Sequence, residues 1–378
     1  MRIETHAMHN GELKAFNDLA ESFAKKELLA HVHEREFPYA LDAAEAVEAA
    51  RKAGLLSVNL PEEWGGTGLD ASVLAGMLSR ISAVDAGMAG ILFTHAAALE
   101  IISAAVDRGD CAEVCRLVSG REGSPLAFQA YGGPGEIELP AVAGEGVNQL
   151  SGRLPLVALG GTARHAVVPG ARPGGEKFSW YLVDLSLDGV KKSDPVLTLG
   201  MQACQAVDIE LDAVPALLLG AEGQGGAYFR TMQARMSAGA AAISLGIMEG
   251  SFREALAYAR QRWQGGRYLE EWSGVRMMLA RMAVQIEVSR CCLAGCSIAG
   301  NGAAPGGEGS ALAAALHISE LACAATSEGV QLLGGNGYMK DYGQEKRMRD
   351  ARQARCLLGM GGLKMMSFIG RIMEEARA

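Results

Sequence analysis

Cysteine is the first residue type in this chain whose spacing could do chemistry. There are eight. Cys111 stands four residues before Cys115, and Cys292 four before Cys296, the spacing that puts two thiols on one helix face. Such pairs could ligate zinc. No paired C-x-x-C motif and no neighbouring histidine completes a metal set. Eight cysteines in 378 residues are also too sparse for a disulfide scaffold. They read as buried thiols. The other candidate is Gly300 to Ser310, GNGAAPGGEGS, rich enough in glycine to wrap a phosphate. It carries no phosphate-loop lysine, so it reads as a linker between two long helices. A net charge of −8 without a basic stripe speaks against nucleic acid as a partner.

The elements that must position any site fall into three stretches: residues 1–122, 123–228 and 229–378. In the first, Leu13, Phe16, Leu19, Phe23 and Leu28 recur at helical spacing with charges between them. Leu41 to Leu55 repeats the pattern up to Gly54, and PEEWGGTGL, Pro61 to Leu69, interrupts it with one proline and three glycines. Helical sequence resumes through Met77, Leu78 and Ile81 and again from Ile91 to Val106. The second stretch has short apolar runs: Ala141-Val142, Leu154 to Val157, Ala166 to Val168, Trp180 to Val183 and Val207 to Leu211. They are set among Gly, Pro, Ser and Asp, as short strands require. The third returns to helix, with Leu245, Met248, Phe252, Leu256 and Ala259 on one stripe. The chain is thus mainly α with a central β domain. The richest apolar run, Met236 to Met248, is too short to span a membrane. The first residues have neither the basic start nor the apolar stretch of a signal peptide, so a cytoplasmic location is expected.

Three motifs add a family. LPEEWGGTGLD, Leu60 to Asp70, follows a Phe37-Pro38 pair. TLGMQACQAVDIELDAVPALLLGAEGQGG runs from Thr198 to Gly226, and VQLLGGNGYMKDYGQEKRMRDAR from Val330 to Arg352. In this order the chain resembles the acyl-CoA dehydrogenases. The resemblance implies an N-terminal helical domain, a β-sandwich or barrel domain and a C-terminal four-helix bundle. It also implies FAD bound between subunits, usually in a tetramer. The acyl-CoA thioester lies against the flavin, a carboxylate takes the α-proton, and the β-hydrogen leaves as hydride. Electrons then pass to a carrier such as an electron-transfer flavoprotein.

Carried over residue by residue, the resemblance leaves no base. The usual carboxylate position, shortly after Arg349-Asp350-Ala351, holds Leu358. The minority position, just before Arg235, holds Ala234. Glu249, Glu270 and Glu271 are the carboxylates that a rearrangement could recruit, although such residues are more often solvated helix faces. The flavin-facing strands have also changed: the loop threonine is Gln129 and the CoA-side serine is Gly135. The stacking tryptophan is Leu156, and the hydroxyl expected beside the reactive nitrogen is lost at Ala158. The half of the site that reaches a neighbour's FAD is retained. Arg262 matches the arginine that holds the pyrophosphate, a task suited to a planar, permanently charged fork. Gln331, Gly334 and Gly335 match the element that approaches the dinucleotide. A surface ion pair for Arg262 and a helix-ending turn for the glycines are the plain alternatives.

That split implies a non-catalytic subunit of a heteromeric acyl-CoA dehydrogenase, lending groups to FAD whose ring and base belong to a related partner chain. The rivals are a homomeric dehydrogenase with a relocated base, a scaffold with the same fold and no redox role, and a flavin monooxygenase.

Overall fold

The computed structural model describes residues 2–105, 114, 125–144, 147–175, 177–299 and 307–376. Cys111 and Cys115 lie outside the described residues, as does the 300–306 part of the expected linker. Residues 307–310 already belong to the following helix, against the poor helix propensity of its two glycines there.

Helices come first: α1 (Arg2–Phe23), α2 (Ala44–Lys52), α3 (Ala71–Ser82) and α4 (Ala86–Ala105). α1 continues into a π-helical turn that buries Leu28. α2 stops where Gly54 turns left-handed at φ 78°. The PEEWGG turn buries Trp64, and a Cβ on Gly66 would sit 2.0 Å from the Leu60 carbonyl oxygen, so only glycine fits. Asp70 then starts α3 by accepting from the Ser72 and Val73 amides at 2.8 and 3.3 Å. Asp85 does the same for α4, accepting from the Gly87 and Met88 amides.

Two helices among the described residues are long and apolar enough to cross a bilayer, Ala86–Ala105 and Gly309–Tyr338. This corrects the expectation that Met236 to Met248 is the richest run. α4 is a core helix, with 89 % of its apolar window buried.

Among the described residues seven strands follow: β1 (Ala127–Phe128), β2 (Ala141–Ala143), β3 (Asn148–Ala158), β4 (His165–Ala171), β5 (Phe178–Asp184), β6 (Val190–Lys192) and β7 (Ala206–Leu219). They form one mixed sheet in the order β1-β3-β2-β4-β5-β7-β6, with extra pairings β1–β4 and β3–β7 that curl it toward a barrel. Register shifts in β3–β7 between Leu150 and Gly152 and between Leu154 and Val157 bend the long strands.

The last stretch holds α5 (Gly225–Gln261), α6 (Ser273–Ala299), α7 (Gly307–Leu333), α8 (Gln344–Ala354) and α9 (Gly361–Glu375). A two-stranded hairpin, β8 (Trp263–Gln264) with β9 (Arg267–Tyr268), sits between α5 and α6. Sequence reading misses it because two-residue strands carry no alternation. Gly265-Gly266, both left-handed, was the available signal. α5 crosses the core in close contact with α3: a Cβ on Gly246 would meet the Ser79 carbonyl oxygen and the Ser82 hydroxyl at 2.1 Å.

Candidate functional site

The position expected to carry the base lies in the turn between α8 and α9. Leu358 is only 4 % exposed and left-handed at φ 62°. Its N–H donates to the Ala130 carbonyl at 2.8 Å, docking the turn onto the end of β1. Next to it the Met360 N–H donates to Glu136 Oε1 at 2.8 Å. Gly359, at φ 114°, lets that carboxylate in: a Cβ there would lie 2.7 Å from Oε1. From the other side Lys364 Nζ donates to the Arg355 and Leu357 carbonyls at 2.9 and 2.8 Å. Burial pulls the Lys364 amine down to about 8.

The expected substitutes for the base lie elsewhere. Glu249 is buried between Arg290, at 2.8 Å, and Arg80, at 3.6 Å. Glu270 pairs with exposed Arg260 at 3.4 Å, and Glu271 is exposed in the same short turn. Ala234 is half-buried, and its neighbour Arg235 bonds Glu100 at 2.9 Å. The carboxylate that does meet the Leu358 turn is Glu136, half-buried in the turn Pro134–Glu136. Its second oxygen has no hydrogen-bond partner among the described residues. Sequence reasoning passed over it because its contact is to a backbone amide far along the chain.

The strands expected to face a flavin ring converge on this same turn. Phe128 pairs with Ala158 across β1 and β3. Gln129 is buried, and its Nε2 donates to the Pro155 carbonyl at 2.8 Å, so its amide donor is turned into its own chain. Leu156, left-handed at φ 52° in the β3 bulge, donates its N–H to Asp208 Oδ1 at 3.0 Å. Ala158 is fully buried. Tyr131 is buried with an unpartnered hydroxyl beside the Cys204 thiol; burial raises both groups, the thiol to about 11. Leucine and alanine supply neither a stacking aromatic face nor a hydroxyl at Leu156 and Ala158. These residues do not fit an isoalloxazine ring.

The phosphate side differs. Arg262 ends α5, where its N–H bonds the Tyr258 carbonyl. Its guanidinium is exposed and has no side-chain partner among the described residues. Gln331, near the end of α7, is likewise exposed and unpartnered among them. Gly334 is left-handed at φ 59°, and nothing lies within 4 Å of a Cβ built on it or on Gly335. Gly337 shows what a packing glycine looks like here, its Cβ position 2.3 Å from the Val330 carbonyl oxygen. Gly335 has neither a positive φ nor a crowded Cβ, so the fold itself does not demand it. Its bare backbone leaves room for the close approach of an outside group. A diphosphate fits this set: a free fork, an open glycine backbone and a neutral amide.

A buried charge network seats the whole turn. Arg349 bonds Glu36 at 2.8 Å and Glu345 at 2.7 Å. Lys346 Nζ reaches Asp350 at 2.7 Å, Asp85 at 3.6 Å and Glu36 at 3.9 Å. Asp350 also accepts the Met201 N–H at 2.6 Å. Burial alone would lower the Lys346 amine, but the three carboxylates outweigh it and raise the group above its ordinary value, so it stays charged.

Two family models match this architecture: the acyl-CoA dehydrogenase N-terminal domain over residues 10–106 and the acyl-CoA dehydrogenase C-terminal domain over residues 223–373. The chain belongs to the acyl-CoA dehydrogenase family. An acyl-CoA dehydrogenase of Bacillus subtilis is 28 % identical, over 88 % of this chain and 90 % of its own. The caffeyl-CoA reductase-Etf complex subunit CarC of Acetobacterium woodii is 23 % identical, over 96 % of this chain and 98 % of its own. Among solved structures, a variant of the Tcur3481-Tcur3483 steroid ACAD superposes with a TM-score of 0.83 at 25 % identity, covering 98 % of this chain and all of that one. An acyl-CoA dehydrogenase from Bacillus anthracis, complexed with FAD, gives 0.84 at 21 % identity, over 97 % of this chain and 67 % of that one.

Proposed function

We propose that this chain is the non-catalytic subunit of a heteromeric acyl-CoA dehydrogenase. It lends Arg262, Gln331, Gly334 and Gly335 to an FAD whose ring, and whose catalytic base, belong to a related partner chain. The observation that carries this reading is the contrast between the two half-sites. At Leu358 the side chain cannot take a proton, and its backbone donor is already spent on Ala130. Proton abstraction from a thioester needs both a base and donors to the carbonyl. At Arg262 and Gly335 the groups are open to solvent. The double designation of the steroid ACAD is in line with a paired arrangement.

FAD, when bound, supplies the acceptor for the hydride that leaves the acyl β-carbon as the α,β double bond forms. In this chain Arg262 would hold the diphosphate charge and Gly335 would admit its backbone approach, while Leu358 keeps its own turn dry. Acyl-CoA is the substrate class of the complex. An electron-transfer flavoprotein is the proposed electron acceptor, in line with the Etf assembly of the caffeyl-CoA reductase relative.

The test is native purification followed by an absorbance spectrum and intact-complex mass. One FAD for each pair of unlike chains supports the proposal; a homotetramer with FAD in every subunit ends it. A second reading has one observation behind it. Glu136 touches the Leu358 turn with one oxygen, and its other oxygen has no hydrogen bond among the described residues, as a relocated base in a homomeric enzyme would. Turnover of an acyl-CoA with an artificial electron acceptor by the chain alone, abolished in Glu136→Gln, would establish that instead.

A further inference from the structure

Arg262 and the Gly334-Gly335 turn come from the ends of different helices, yet a single residue ties them together. The Tyr258 carbonyl accepts the Arg262 N–H at 2.9 Å. The Tyr258 hydroxyl accepts from Asn336 Nδ2 at 3.0 Å. Asn336 shares that amide with the Tyr342 hydroxyl at 3.2 Å, and the two tyrosine rings meet edge to face, 5.9 Å apart and at 90°. One turn back on α5, Glu254 accepts the Gly343 N–H at 2.9 Å and pairs with Arg347, closing the far end of the loop. The polar groups under the loop are thus used internally, while those on its outer side are left open.

We infer that Tyr258 and Asn336 are positioning residues that hold the arginine fork and the diglycine turn at one fixed spacing for a diphosphate presented by a second chain. The inference rests on the proposed function and deepens it. A fork and a backbone that already stand in register lose little freedom on binding; a loosened loop must be ordered each time. Neither residue touches the diphosphate. Each acts through Arg262 or Gly334-Gly335.

The experiment uses the native complex stripped of FAD and titrated with FAD, with flavin fluorescence as the readout. Arg262→Ala, Asn336→Leu and Tyr258→Phe are compared, together with the double variant Arg262→Ala/Asn336→Leu, and melting is followed without FAD. Asn336→Leu should weaken FAD about tenfold, since about 1.4 kcal/mol is a factor of ten and a lost pair of shared hydrogen bonds is of that order. Tyr258→Phe keeps the ring packing, so it folds, and should weaken FAD roughly threefold. In the double variant the loss should fall short of the sum, because Asn336 works partly through the arginine. Unchanged FAD affinity in Asn336→Leu and Tyr258→Phe, or strictly additive losses, would overturn the positioning role while leaving the proposed function standing. If Arg262→Ala itself leaves FAD affinity unchanged, both fall.

Discussion

Leu358 shows how much one side chain decides. A buried leucine held left-handed costs about 1 kcal/mol or more in backbone strain, so the packing around it must offset that. Leu358→Ala should therefore lower unfolding free energy by about 2–4 kcal/mol, the range for a large-to-small change in a core. It should leave turnover of the native complex nearly unchanged, since this side chain carries no proton. Chemical denaturation beside steady-state rates checks both halves, and a collapse of turnover without loss of stability would contradict the non-catalytic reading. His95 makes a second prediction at this scale. Its Nε2 meets the Leu56 carbonyl at 3.0 Å and its Nδ1 accepts the Leu126 N–H at 3.1 Å, which fixes a neutral ring. Burial lowers its pKa from 6.5 to about 4, with the Leu56 carbonyl pulling the other way. A lowered histidine means the unfolded chain binds more protons between those two values. Its contribution is whole above the upper value and is lost as pH falls through the lower one, about 3 kcal/mol in all. His95→Gln should flatten the acid limb of a stability–pH curve. An unchanged slope over that window would refute the assignment.

Among elements, the α3–α5 crossing is the tightest test of packing. Gly246→Ala places a methyl against a carbonyl oxygen at 2.1 Å, and neither backbone can yield without moving a helix. We expect a loss of about 3 kcal/mol or more. Gly239→Ala, whose nearest neighbour is a leucine methyl at 3.2 Å, should cost far less. Urea melts of the two variants side by side decide it; equal losses would show that the crossing has slack. These elements were largely readable beforehand, because Leu245, Met248, Phe252 and their like repeat with the helix and VDIELD with the strand. The site was half readable. Residue type alone reveals that Leu358 and Ala158 lack the groups chemistry needs. It does not reveal that Gln129 turns inward to Pro155, that Glu136 clasps Met360, or that Asn336 spans two tyrosines. Apart from Asn336 with Tyr342, those pairings join residues far apart in sequence through groups that any polar side chain could offer.

For the whole molecule, the buried charges bind the first helices to the last ones. Asp350→Asn removes the nearest counter-charge of Lys346 and leaves a buried ammonium with two more distant partners. Breaking such a pair typically costs about 3–5 kcal/mol. The variant should melt well below the parent, and a thermal shift within error would show the network to be dispensable. FAD stoichiometry in the native complex is the matching measurement for function at this scale.

The network also sets a schedule. Asp85 can already pair with Arg35, 3.4 Å away, inside the early segment, but Glu36 leaves the ribosome long before Lys346 and Arg349 exist to meet it. Until the last helices are made, Glu36 cannot be enclosed without an uncompensated charge. The segment around Glu36 therefore stays wetted during synthesis and closes only when the C-terminal helices bring its two cations.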